Sequence, residues 1–128
     1  MDAPENLKYT EDHEWAEVDT QSNSVKIGIT DFAQDALGDI VFVQLPAVGT
    51  KVQAGLTFSE IESTKSVSDI YAPISGVVTT VNTELDEAPQ KLNEDPYGAG
   101  WICTIEAVSD ATFDHLLDAA AYRALVEH

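Results

Sequence analysis

Glu62-Ser63-Thr64-Lys65-Ser66-Val67-Ser68-Asp69, followed shortly by Ala72-Pro73-Ile74-Ser75-Gly76, is the stretch on which the fold turns. A β-type run at 56–61 leads up to Lys65, and a second at 67–71 leads away from it. Two short runs separated by a few small polar residues predict a hairpin with Lys65 at its tip. Small neighbours leave the ammonium open, in a chain with only six Lys and Arg altogether. Firm support below and free access above are what an attachment point for a swinging cofactor needs. A solvated lysine in a surface turn has the same local sequence. The rest of the chain must therefore separate the two.

Further short β-type runs lie on both sides. Ser24-Val25-Lys26-Ile27-Gly28-Ile29 alternates, with Val25, Ile27 and Ile29 on one face. The run at 40–45 is denser in apolar residues and suits a strand covered on both sides. Residues 76–81 and 101–108 supply two more strands, the second with Trp101, Cys103 and Ile105 on one side. Many short strands with frequent turns predict a mainly β fold, a sandwich or flattened barrel. Thr30 is placed to cap a short helix over 31–37 with Gly38 as its stop. A C-terminal helical segment is expected at about 110–126, with Phe113, Leu116, Leu117, Ala120 and Ala124 on its inner stripe. Pro46-Ala47-Val48-Gly49 before Thr50-Lys51-Val52 echoes Pro73-Ile74-Ser75-Gly76 before Val77-Val78, with Lys65 between the copies. That echo fits a pseudo-symmetric sandwich built from two similar halves.

Size and charge narrow the function classes. The 128 residues suit a single domain over 1–128, and no apolar run approaches the roughly 20 residues that span a bilayer. Met1-Asp2-Ala3-Pro4-Glu5-Asn6 has neither a basic region nor an apolar stretch, so a cytoplasmic location, or else a mature form already processed, is expected. A formal charge of −17 argues against nucleic acid and against anionic membranes. It favours basic partner surfaces, or equally salty surroundings that screen self-repulsion. Cys103, the lone cysteine, excludes an internal disulfide and reads as a small buried hydrophobe. His13, His115 and His128 lack ligand spacing, and Asn93 to Gly100 lacks that of a calcium loop and reads as a rigid turn. No metal site and no catalytic residue are expected.

Several blocks stand out when the chain is read in order. They are Lys8-Tyr9-Thr10 with His13-Glu14-Trp15, then Val25 to Asp31 with Ala33-Gln34 and Ala36-Leu37-Gly38-Asp39. Next come Val41-Phe42-Val43 with Leu45-Pro46, then Glu62-Ser63, Lys65, Ser68-Asp69, Ala72-Pro73 and Gly76. Asn93-Glu94-Asp95-Pro96-Tyr97-Gly98 with Gly100-Trp101 completes the series. Taken in this order, the blocks resemble the H proteins of the glycine cleavage system.

The resemblance implies a lipoyl-domain-like β-sandwich whose Lys65 carries lipoate in amide linkage. It implies three partner enzymes: glycine decarboxylase (P protein), aminomethyltransferase (T protein) and dihydrolipoamide dehydrogenase (L protein). A lipoate-attaching enzyme is implied as a fourth. In such a system the carrier brings the aminomethyl group of glycine from the first enzyme to the second, and the third reoxidises the dithiol. The hard chemistry belongs to partners and cofactors, so the chain is expected to be a shuttling substrate and not an enzyme. Glu14 and Asp69 match family positions whose carboxylates hold the primary amine of the loaded arm in a protective cleft, with Asp12 as a further candidate. Thr64 and Ser66 flank Lys65 where many relatives carry an aliphatic residue and alanine; both are small enough to keep access open. Two related readings share the fold: a lipoyl donor to other enzymes' carriers, and an unmodified binding module. A biotin carrier typically has methionines beside its lysine, which Thr64 and Ser66 do not supply.

Overall fold

Alternating apolar residues built the strands where the sequence is regular. A computed structural model describes residues 3–108 and 113–127. Along the chain run β1 (Lys8–Tyr9), β2 (Glu14–Asp19), β3 (Ser24–Ile29), α1 (Asp31–Leu37), β4 (Ile40–Gln44) and β5 (Lys51–Val52). Then follow β6 (Thr57–Ser63), β7 (Val67–Tyr71), β8 (Gly76–Val81), a 3-10 turn (Thr83–Asp86), α2 (Lys91–Glu94), β9 (Cys103–Ala107) and α3 (Ala119–Val126). Two antiparallel sheets result, one ordered β1-β2-β3-β9-β8-β5 and the other β4-β6-β7. This is the expected mainly β, lipoyl-domain-like sandwich. Val25, Ile27 and Ile29 of β3, with Val78, Cys103 and Ile105, face Val43, Ile61 and Ile70 across the core. Each such side chain contributes about 1.5–3 kcal/mol by leaving water. A one-residue slip of β7 would turn Ile70 out and Asp69 in, so burial fixes the register on which the tip depends.

The sequence echo is a structural pairing. Its two copies run antiparallel, Lys51 opposite Val77 and Val52 opposite Gly76. The Gly49 amide donates to the Val78 carbonyl (2.8 Å), and the Val78 amide to Thr50 (2.9 Å). Beyond that ladder the Gly55 amide donates to Ala72, and Ala72 donates back to Leu56. Thr57 then faces Tyr71, and pairing continues to Glu62 opposite Val67. Residues 49–78 thus form one long ribbon that crosses from one sheet to the other and folds back at Lys65.

Two expectations change. β4 is covered on one face only: Ile40 and Val43 point inward, while Val41 (54 %) and Phe42 (48 %) are exposed. Among the described residues that face of β4 is open, and an irregularity between Ile40 and Phe42 shifts the register. The C-terminal helix is shorter than 110–126. It begins after Asp118, whose carboxylate accepts from the Ala121 amide (2.8 Å), as an N-cap should. Before it, Leu117 forms a bridge with Tyr9, because the backbone is held to β1 rather than to a helical turn. Its inner stripe is Ala119 and Tyr122 with Val126, whereas Ala120 and Ala124 are exposed. Residues 109–112 lie outside the described part.

Candidate functional site

Lys65 stands at the hairpin tip and is exposed. The tip is tied from within: the Ser63 amide donates to the Ser66 carbonyl (2.8 Å), and the Ser63 hydroxyl oxygen accepts from the Lys65 and Ser66 amides (3.1 Å each). Short hydroxyl side chains favour such local turns. From outside, the Thr64 amide donates to the Asp39 carbonyl (2.9 Å), just past the end of α1. Gly38 closes that helix with φ +79°, and a Cβ there would lie 3.2 Å from Lys65 Cε. The lysine stem therefore runs close over the helix end, where the positive φ favours glycine and a Cβ would press lightly on the flexible stem.

Six positions on from Lys65, about 20 Å of strand at most, the Tyr71 amide donates to Glu14 Oε2 (2.8 Å). Glu14 is only 2 % exposed, unusual for a residue type seldom buried without a partner. Its Oε1 also accepts from the Thr10 hydroxyl (3.2 Å). Burial pushes this carboxyl up to about 8; the Tyr71 hydrogen bond opposes that, and the Asp12 charge adds to it. Glu14 is thus a neutral acid near pH 7, set in a cleft of about 460 Å³ that Asp12, Gly55, Ala72, Pro73 and His115 also line.

The backbone explains how an acid comes to point inward. His13 adopts a left-handed conformation (φ 68°), which costs energy in a non-glycine residue and turns the chain from the 10–12 loop into β2. The strain is held by contacts: His13 Nδ1 bonds the Tyr122 hydroxyl (3.0 Å), and its ring packs on Phe32 at 4.6 Å. Burial lowers the His13 pKa, with Asp12 acting the other way. The neutral, bonded ring fits a structural histidine.

Of the acids singled out from sequence, Glu14 and Asp12 meet in the cleft. Asp69 is exposed and is not among the residues lining it. It lies on the outer side of β7, opposite Glu60. His115 lines the cleft through a bond from its Nε2 to the Pro73 carbonyl (2.6 Å); only the folded C-terminal segment brings it there. A larger groove of about 850 Å³ lies elsewhere and contains none of these residues. Its buried polar side chain, Ser59, is already bonded to Gln44. Trp15 is buried, with Nε1 donating to the Pro96 carbonyl (2.8 Å), and burial pushes the Cys103 thiol up to about 12. Neither is a reactive group. Among the described residues no His, Cys, Asp and Glu are grouped to hold a metal ion.

Residues 7–128 match the glycine cleavage H-protein family. The chain belongs to that family. The glycine cleavage system H protein of Mycobacterium avium is 57 % identical over 127 residues, covering 95 % of each chain. That of Mycobacterium tuberculosis is 56 % identical over 128 residues, again covering 95 % of each. A crystal structure of the H protein from Mycobacterium marinum superposes with a TM-score of 0.88 at 43 % identity, over 98 % of this chain and all of that one. H proteins are the lipoyl carriers of the glycine cleavage system, and this member is a carrier with partners in that system, not a catalyst. No helix among the described residues is long and apolar enough to cross a membrane.

Proposed function

We propose that Lys65 is the lipoyl attachment point, and that the single domain over 1–128 shuttles the aminomethyl group of glycine in the cytoplasm. The partners on this reading are glycine decarboxylase, aminomethyltransferase and dihydrolipoamide dehydrogenase, with a separate enzyme attaching the arm. The observation that carries it is the ribbon itself, with an open lysine at one end of β7 and a cleft with a buried acid at the other. When attached, lipoate supplies a disulfide that takes the aminomethyl group on one sulfur while the other is reduced.

The chain's own residues do the rest. Ser63 and Asp39 hold the tip so that the Lys65 amine faces outward. Acylation removes its charge, and tethering keeps the reactive group at high effective concentration near each partner. Glu14, oriented by Tyr71 and Thr10, accepts a hydrogen bond from the primary amine; once ionised it is an anionic partner for an ammonium in a partly dry cleft. Asp12 adds a second negative charge at the cleft. Asp69, exposed on the outer side of β7, is not one of the residues that hold the amine on this reading. The cleft walls shield the adduct from water.

The test is Lys65→Arg in the reconstituted system, with intact mass read alongside. The lipoyl increment should vanish, glycine cleavage should fall to background, and the melting midpoint should stay unchanged because the side chain is exposed. Glycine cleavage by the substituted chain would end the assignment.

A further inference from the structure

The tip does not stand alone on its hairpin. Its outside anchor is the Asp39 carbonyl, and Asp39 lies between Gly38 and Ile40. Both of those neighbours are bonded to one side chain from a distant part of the chain. Asn93 Nδ2 donates to the Gly38 carbonyl (2.8 Å), and Asn93 Oδ1 accepts from the Ile40 amide (2.9 Å). The same Nδ2 donates to Gln34 Oε1 (3.1 Å), and Gln34 Nε2 in turn donates to Asp31 Oδ1 (2.8 Å). The three-residue backbone that carries the tip is thus clasped on either side by one amide group, itself held by α1.

An amide is the side chain this arrangement needs. It presents a donor and an acceptor on one short planar group, matched to a carbonyl and an N–H two residues apart. Aspartate would keep the acceptor and lose the donor; alanine would lose both and leave the Gly38 carbonyl and Ile40 amide unsatisfied in a half-buried place. We infer that Asn93 is a positioning residue for Lys65: by clasping Gly38 and Ile40 it fixes Asp39, and through Asp39 the tip that the attaching enzyme must recognise. This rests on the reading of Lys65 as the attachment point. The side-chain hydrogen bonds of Asn93 go to Gly38, Ile40 and Gln34 and not to the Lys65 amine.

The experiment uses the full-length apo chain with a lipoate ligase, lipoate and ATP. Acyl transfer from lipoyl-adenylate to Lys65 Nζ forms the amide, releases AMP and loses one proton from nitrogen. Attachment is followed by intact mass, and exchange of the Thr64 amide hydrogen is read in parallel. Asn93→Ala is compared with an Ile105 truncation (to Val or Ala) chosen to lower the melting midpoint equally. Asn93→Ala should reduce kcat/KM for attachment about ten-fold, short of the about hundred-fold that a 1 Å misplacement at a reacting group can cost, and should speed Thr64 exchange. The Ile105 variant should do neither. Asn93→Asp should fall between, and it carries the comparison if Asn93→Ala does not fold. Wild-type attachment by the Asn93 variants, or an equal loss in the Ile105 variant, would overturn the inference. A wild-type chain that takes no lipoate at Lys65 would instead sink the attachment reading, and unchanged Thr64 exchange in Asn93→Ala would still refute the clasp.

Discussion

Replacing Glu14 by glutamine makes the buried acid measurable. In the folded chain this carboxyl titrates near 8 against an ordinary value of 4.5. Between those values the native state keeps a proton that the unfolded chain has given up. Stability tied to Glu14 is therefore complete below about pH 4.5 and is lost as pH rises towards 8. One proton across the interval from 4.5 to about 8, at about 1.4 kcal/mol per pH unit, amounts to about 5 kcal/mol. About 3.5 kcal/mol of it falls between pH 5 and 8. Glu14→Gln keeps the shape and an oxygen for the Tyr71 amide but cannot ionise, so it should lack this slope. Urea unfolding at pH 5, 6, 7 and 8 tests it without adding salt to a chain of charge −17. The two proteins should be near each other in stability at pH 5, with the variant ahead by about 3.5 kcal/mol at pH 8. His13, with its pKa lowered by burial, adds a slope of opposite sign below about pH 6.5. It is present in both proteins and cancels in the difference. Parallel pH curves would refute the buried neutral acid.

Two other changes probe the frame that carries the site. Gly76→Ala places a Cβ against the Glu106 carbonyl and 2.7 Å from Ile105 Cγ2, so the β8–β9 ladder must shift; a loss of about 3 kcal/mol is expected from denaturant unfolding, and no loss would mean that the ladder gives way more easily than its packing implies. Asp118→Ala removes the cap of α3 and should cost about 1 kcal/mol, with faster amide exchange at Ala121; an unchanged exchange rate would assign the helix start to packing of Tyr122 alone.

Local signals were legible and tertiary ones were not. Alternation at Ser24–Ile29 and the Thr30 and Gly38 caps of α1 are decided within a few residues, and both elements lie where expected. β1 and β5 are two residues each, too short for any period to show. β2 was hidden because Glu14, Glu17 and Asp19 give it a polar look, while the burial of Glu14 depends on Tyr71 and on the left-handed turn at His13. For Asp69 a signal was available: Ile70 must face the core, so strand alternation puts Asp69 outside. The Asn93 clasp bridges positions far apart in the chain, and Asn93-Glu94-Asp95-Pro96 read locally is only a turn.

The ribbon of residues 49–78 also has a kinetic consequence. All its pairings are between segments close in the chain, and such contacts close with little loss of loop entropy. Strand β3 must wait for β9, whose residues come after the second helix, before it has neighbours on both sides. Amides in β6 and β7 should therefore gain protection before those of β3 and β9 in a pulse-labelled refolding experiment; simultaneous protection would contradict this order. Asn93 reaches Gly38 and Ile40 across 55 and 53 positions, so the lysine is displayed early in folding and steadied late. A chain that stalls between those stages would show its attachment tip without the support beneath it, which makes modification a report on completed folding.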